Sequence, residues 1–239
     1  MNLPLKPIYL FADSQLLFWR TETGLFLDEV RRAFEGDQLK AAYIGASNGD
    51  QPQFYDLFLA AMEGINVEDC RMIRASFSPQ DAAFIDQADI ILLAGGNVQR
   101  GWDVLQSSGM KEFIVRRYFE GALLIGVSAG AVQLGLRGWG EGDESSAQLF
   151  ETFMLVPFLV SAHEEKEEWD SLVKALELAG PNTPGIGIPS GGGMIYHADG
   201  SVEPVRYPLQ QFSMEEGRIV RSLLLPAPTD DVIDALAVH

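Results

Sequence analysis

The chain is poor in the residues on which several kinds of protein depend. Of its 239 residues one is cysteine, Cys70, so an internal disulfide cannot form and a reducing compartment, the cytoplasm, is the expectation. Lysine and arginine number 17 against 34 aspartates and glutamates, a net charge of −17. Nucleic acid is therefore not an expected partner, because phosphate contacts need clustered cations. No apolar run reaches the length of a membrane span, and no repeat or low-complexity tract divides the sequence. The first residues, Met1 to Pro7, lead straight into the strand-like Ile8-Tyr-Leu-Phe11 and lack the basic-then-apolar plan of a signal peptide. Histidine is scarce too: His163, His197 and His239 are all there is, which narrows any search for a general base.

What remains is an ordinary globular composition, 47% hydrophobic and 21% charged, long enough to bury a substantial core. Short apolar runs alternate with amphipathic segments, which predicts an α/β fold over residues 1–239 as one domain. Strands are expected at Ile8–Ala12, Lys40–Ile44, Arg71–Ile73, Ile90–Ala94, Leu123–Val127 and Met154–Val160. Runs that are apolar throughout imply a mostly parallel sheet covered on both faces. Helical spacing links Leu25, Val30 and Phe34, and again Phe54, Leu57, Phe58 and Ala61. Ser78-Pro-Gln-Asp81 reads as a helix start, with a serine cap, proline at the first position and an acid in the first turn. After about residue 184, Gly185–Ile188, Met194–Tyr196, Ser201–Val205 and Arg218–Leu225 read as strands added to the main sheet, with an Asp199-Gly200 turn. Leu16-Leu-Phe-Trp19 reads chiefly as core, with a pocket wall or a homo-oligomer contact as the other uses.

The strongest local signal is Gly126-Val-Ser-Ala-Gly130 at the end of the Leu123–Val127 run. Gly-x-Ser-x-Gly at a strand-to-helix junction is the pattern of a nucleophile elbow, which holds a serine in a strained turn. The small neighbours suit a tight turn, and the N–H groups of the helix start can stabilise an oxyanion. A second unusual strand exit, Gly95-Gly96-Asn97, can supply another oxyanion donor, or simply a glycine turn with Asn97 capping the next helix. Among the histidines His163 is the best base by placement, since it follows an apolar run that ends on the same side. An acid is then needed to orient it, and Glu141, Asp143, Glu144 and Glu151 lie between Ser128 and His163. The pattern leaves that choice open. Arg100 and Arg137 are the nearest basic residues for a substrate carboxylate.

Taken together, Gly95-Gly-Asn97, Gly126-Val-Ser-Ala-Gly-Ala131, an acid 15 residues after the serine and a histidine 20 beyond it resemble the peptidase E and cyanophycinase family of serine peptidases. That resemblance implies a three-layer α/β/α sandwich of the class I glutamine-amidotransferase type. It implies Ser128 as nucleophile, His163 as general base and acid, and Asp143, by its spacing, as orienter. The N–H groups of Gly96 and Ala129 would form the oxyanion hole, with Gly95, Asn97 and Arg137 near the substrate. The substrate would be a small peptide with an aspartyl residue, or a β-aspartyl-arginine bond in the cyanophycinase branch. No metal or cofactor is implied.

Three departures bear on the substrate, one being Pro189-Ser-Gly-Gly-Gly193, which stands where relatives often have an acidic residue in a similar strand turn. The family usually has proline just before the catalytic histidine, where this chain has Ser161-Ala162. The run Glu164-Glu-Lys-Glu-Glu168 that follows reads as the solvated first turns of a helix. If it lines the pocket instead, it repels an N-terminal aspartate and favours a cationic substrate end. Two rivals complete the reading. An α/β-hydrolase esterase also uses Gly-x-Ser-x-Gly, though its acid and histidine normally lie much farther downstream. An inactive family member would act as a binding module.

Overall fold

The computed structural model describes residues 5–36, 38–140 and 148–227. A seven-stranded sheet runs in the order Val202–Val205, Gly193–Tyr196, Ile8–Phe11, Leu123–Val127, Ile90–Leu93, Lys40–Ile44, Asp69–Ile73. The last five of these are mutually parallel, and the first two are antiparallel additions beside Ile8–Phe11. Their composition explains their place. Ile90–Leu93 and Leu123–Val127 are buried along their whole length, as strands covered on both faces must be.

Alternation along these strands builds two separate cores. Leu10, Ile91, Leu93 and Leu124 point to the layer of helices Pro79–Ile85, Val98–Ser107, Met110–Phe119 and Ala129–Leu134. Tyr9, Phe11, Ile90, Leu92, Leu123 and Ile125 point the other way, to helices Asp28–Arg32 and Pro52–Glu63. The result is a three-layer α/β/α sandwich. Each fully buried Leu or Ile stabilises it by about 1.5–3 kcal/mol relative to exposure.

A four-stranded sheet, ordered Leu159–Ala162, Gly185–Ile188, Leu209–Glu215, Arg218–Leu224, packs on the first layer and carries helix Asp170–Ala179. This corrects two expectations. Gly185–Ile188 and the Arg218 strand do not extend the main sheet, because Gly185–Ile188 pairs in parallel with Leu159–Ala162. The strand expected at Met154–Val160 begins only at Leu159. Met154 has φ +54°, and the N–H groups of Leu155 and Val156 turn inward to the Leu134 carbonyl at the end of helix Ala129–Leu134. The buried part of the run, Val156 with half-buried Leu155, is covered by wrapping a helix, not by joining a ladder, while Met154 stays exposed.

Two further departures are local. The region expected as a helix from Gly24 is a short hairpin, Arg20–Thr21 with Gly24–Leu25, before the helix Asp28–Arg32. Phe54 and Leu57 do not join the core with Phe58 and Ala61; they are 43% and 41% exposed. The Ser78 start holds as expected: Ser78 Oγ accepts from the Asp81 N–H at 3.2 Å and Asp81 Oδ2 accepts from the Ser78 N–H at 2.9 Å. Among the described residues no helix is long and apolar enough to cross a membrane.

Candidate active site

The strand Leu123–Val127 lies inside the sheet, between Ile8–Phe11 and Ile90–Leu93, so its carboxyl end opens between two other strand ends. In open α/β sheets that crevice is where ligands bind. Ser128 sits there with φ +49° and ψ −109°, a conformation that costs a non-glycine residue about 1–3 kcal/mol. The surroundings fix it from every side. Its N–H donates to the Phe11 carbonyl at 2.9 Å, and its own carbonyl accepts from Ala131 and Val132 at 2.9 and 3.1 Å.

The flanking glycines are steric necessities. A Cβ on Gly126 would lie 2.7 Å from the Ala131 nitrogen, and one on Gly130 would lie 2.2 Å from the Leu93 carbonyl oxygen. Helix Ala129–Leu134 is buried along its whole length, so it has no room to retreat. As first residue of that helix, Ala129 has an N–H without an acceptor inside it.

The Gly95–Gly96 exit runs beside the serine. A Cβ on Gly95 would come 3.3 Å from Ser128 Cβ. Gly96 has φ +137°, and a Cβ there would meet the Ser47 carbonyl oxygen at 2.3 Å, so neither its conformation nor its space admits another residue. Asn97 Oδ1 accepts from the Arg100 N–H at 2.8 Å and so caps helix Val98–Ser107.

His163 follows directly on the strand Leu159–Ala162 and places Nε2 2.8 Å from Ser128 Oγ. Its backbone is turned at φ +52°, with its N–H held by the Ile188 carbonyl at 2.9 Å. The other histidine in the described residues, His197, is elsewhere, 2.9 Å from Glu203 on the far hairpin. Asp143 lies outside the described residues, as do Glu141, Glu144 and His239. Glu151 is exposed on the ribbon formed by Arg137–Trp139 and Leu149–Glu151. Arg137 is exposed on the same ribbon and lines neither cleft at the serine, whereas Arg100 lines one.

Two clefts meet at Ser128 and His163. The first, of about 550 Å³, is walled by Leu17, Tyr43, Phe54, Leu57, Phe58 and Leu92, with Gly95 and Gly96 at its serine end. The second, of about 940 Å³, is lined by Glu164, Glu167, Asp170 and Glu177, with Lys174 among them. The acidic run is therefore not merely the outer face of a helix. It forms a short 3-10 turn, Glu165–Glu167, ahead of the helix that begins at Asp170.

Individual acids in that run are tied down. Glu164 accepts from Ser161 Oγ at 2.6 Å and also from Ser171 Oγ. Partial burial opposes ionisation of Glu165, but hydrogen bonds from Ser190 and the nearby His163 outweigh it and hold its carboxyl below the ordinary value. Of the walls of the first cleft, Leu17 belongs to the Leu16–Trp19 segment, for which a pocket wall is one expected use, whereas the helix walls had no signature in the sequence. Phe54 and Leu57 sit at core-like helical spacing, and only the tertiary packing turns them toward the crevice.

A serine hydroxyl bonded to an imidazole, at a strained turn between a strand and a helix and beside glycine-rich backbone, defines a nucleophile-elbow site. The chain belongs to peptidase family S51, whose model matches residues 20–203. It is thus a serine peptidase of the peptidase E type. A crystal structure of a peptidase from an acI-B1 Actinobacterium superposes with a TM-score of 0.69 at 16% identity, covering 95% of this chain and 97% of that one. A putative peptidase E protein from Listeria monocytogenes EGD-e superposes with a TM-score of 0.56 at 15% identity, covering 92% and 99%. At such identities these likenesses speak for the fold. No curated protein matches the chain.

Proposed function

We propose that the protein hydrolyses short aspartyl peptides through an acyl-enzyme on Ser128. The observation that carries this reading is the 2.8 Å contact between Ser128 Oγ and His163 Nε2 at a serine held in a strained elbow. Oγ attacks the scissile carbonyl carbon while His163 Nε2 takes its proton. The negative charge that develops on the carbonyl oxygen is met by the N–H groups of Gly96 and Ala129. Collapse breaks the C–N bond, and His163 returns the proton to the departing amine. Water then attacks the ester, gives a proton to His163, and collapse releases the acid and restores the Ser128 hydroxyl. Asp143 holds the imidazole in the tautomer that leaves Nε2 free to accept.

One observation favours a second reading of the substrate. The acids of the second cleft, Glu167 and Asp170 among them, suit a cationic end, as in a β-aspartyl-arginine peptide. An N-terminal aspartyl residue also offers a cation, its free ammonium group, but its side-chain carboxylate is repelled by the same acids. The experiment is a fluorophosphonate probe with wild type and Ser128→Ala, followed by α-aspartyl dipeptides, β-aspartyl-arginine, neutral dipeptides and a p-nitrophenyl ester. Labelling and aspartyl cleavage, both lost in Ser128→Ala, are expected. Ester turnover without peptide cleavage would return the esterase rival. An unlabelled, folded wild type would make the protein a binding module.

A further inference from the structure

The first cleft is much larger than the site of chemistry requires, and its character is one-sided. Phe54 and Leu57 stand one helical turn apart on Pro52–Glu63 and keep about two-fifths of their surface in water. Buried Phe58 on the same helix and Leu17 from the 3-10 turn Ser14–Leu17 line the cleft with them. Large side chains left exposed in a concavity continuous with a nucleophile are a binding wall, because apolar surface there gains free energy only when something covers it.

The cleft also holds one cation. Arg100 is exposed and makes no ion pair among the described residues, in a chain with twice as many acids as bases. Its guanidinium lies over Gly49, where a Cβ would come 2.0 Å from Nη2. The acid lining the same cleft, Asp13, is already occupied. It accepts from the Gln15 N–H at 2.8 Å, from Gln15 Nε2 at 3.1 Å and from the Gly191 N–H at 2.7 Å. The cleft thus offers an apolar wall and a spare guanidinium, beginning at the serine.

We propose that this cleft selects the departing residue of the substrate: a C-terminal amino acid with a large apolar side chain against Phe54 and Leu57, and its carboxylate on Arg100. This rests on Ser128 being the nucleophile. The residue that becomes the acyl group then lies toward the second cleft, where the acids receive its free ammonium group. Phe54 and Leu57 are specificity-determining residues, and Arg100 makes the enzyme favour a free C-terminus. Family membership does not imply this preference; it follows from the exposed pair and the unpaired arginine.

The test uses the whole protein and two dipeptide series, Asp-X and Ala-X, with X as Leu, Phe, Gly, Lys and Glu, together with Asp-Leu amide. Cleavage is measured, and so is the slowing of fluorophosphonate labelling of Ser128 by each peptide. The expected result is that Leu and Phe exceed Gly, Lys and Glu by at least tenfold in kcat/KM, with the amide also tenfold or more below Asp-Leu. In Phe54→Ser and Leu57→Ser the Leu-to-Gly ratio should fall several-fold. Being a ratio within one preparation, it is unaffected by partial loss of folded protein. In Arg100→Gln the difference between acid and amide should largely vanish, through KM. Ser128-dependent cleavage with Gly or Lys as good as Leu would overturn the proposal and leave the peptidase reading standing. A labelled Ser128 that no dipeptide protects and no dipeptide reaches would overturn both this proposal and the aspartyl-peptide reading, leaving only the reactive serine. Cleavage that survives Ser128→Ala would overturn both.

Discussion

Replacing Ser128 by glycine should give a more stable protein than replacing it by alanine. Both substitutions remove Oγ and with it the bond to His163, worth about 0.5–1.5 kcal/mol, so that loss cancels in the comparison. Alanine keeps a Cβ at φ +49° and ψ −109° and with it the strain of about 1–3 kcal/mol. Glycine sheds the strain but gives up about 0.5–1 kcal/mol through its more flexible unfolded chain. The balance favours glycine by about 1 kcal/mol. At this chain length that is about 2–4 °C in Tm, readable by circular dichroism and by the urea midpoint at constant slope. Ala60→Gly, at an exposed position inside helix Pro52–Glu63, supplies the reversed sign, a loss of about 1 kcal/mol. A Ser128→Ala protein as stable as Ser128→Gly, or more so, would refute the idea that the elbow is held under strain by its surroundings.

His163→Asn keeps a residue type that tolerates the positive φ of 52° while removing the base; kcat/KM should fall about 10²–10⁴-fold with Tm little changed. Gly130→Ala puts a Cβ 2.2 Å from the Leu93 carbonyl oxygen, backbone against backbone, and should cost about 2–3 kcal/mol in urea unfolding. Burial opposes ionisation of Asp81, but hydrogen bonds from Ser78 and from Arg71 prevail and hold its carboxyl below the ordinary value. A depressed folded pKa stabilises above the unfolded value and is lost as pH falls through the folded one. Wild type should therefore exceed Asp81→Asn in stability at pH 7, and thermal melts should show the gap closing as pH falls through and below the ordinary aspartate range.

The legible part of the fold was that written in local pattern. Ile90–Leu93 is an unbroken run of isoleucine and leucine, Leu123–Val127 is apolar throughout with Gly126 inside it, and the Ser78 cap is stated by four residues. The serine is legible because it closes the Leu123–Val127 run; the histidine follows an apolar stretch of which only Leu159 and Val160 belong to the strand that carries it. Where the reading failed, the deciding partner was far away in sequence. Gly185–Ile188 is a strand in either sheet by its own composition, and only Leu159–Ala162 settles which. Phe153 to Phe158 has the hydrophobicity of a strand, yet its backbone bonds go to Gln133, Leu134, Gly135 and Leu136, at and just past the end of the elbow helix. Phe54 and Leu57 obey a core periodicity, but the helix is seated so that Phe58 and Ala61 alone of that set are covered. Periodicity tells which residues share a face, not whether the face meets protein or a crevice.

The excess of acid gives the few cations near the serine their meaning. In a chain of net charge −17 the general field opposes anionic peptides, yet screening confines that field to about 8 Å at physiological salt. What a substrate meets at the site is therefore decided by the nearest side chains. Among the described residues each cleft has one Lys or Arg, Arg100 in the first and Lys174 in the second. The second cleft surrounds its lysine with four acids, while the first leaves its arginine beside apolar walls and a carboxylate already bonded by Gln15 and Gly191. A dipeptide has the matching polarity: ammonium at one end, carboxylate at the other, and a scissile bond between them. Laid across Ser128 with its terminal carboxylate toward Arg100, it puts its ammonium among the acids, where only an acidic acyl side chain would be opposed; reversed, it puts the terminal carboxylate there. On the proposed reading, the acids of the second cleft thus set the direction in which a peptide lies.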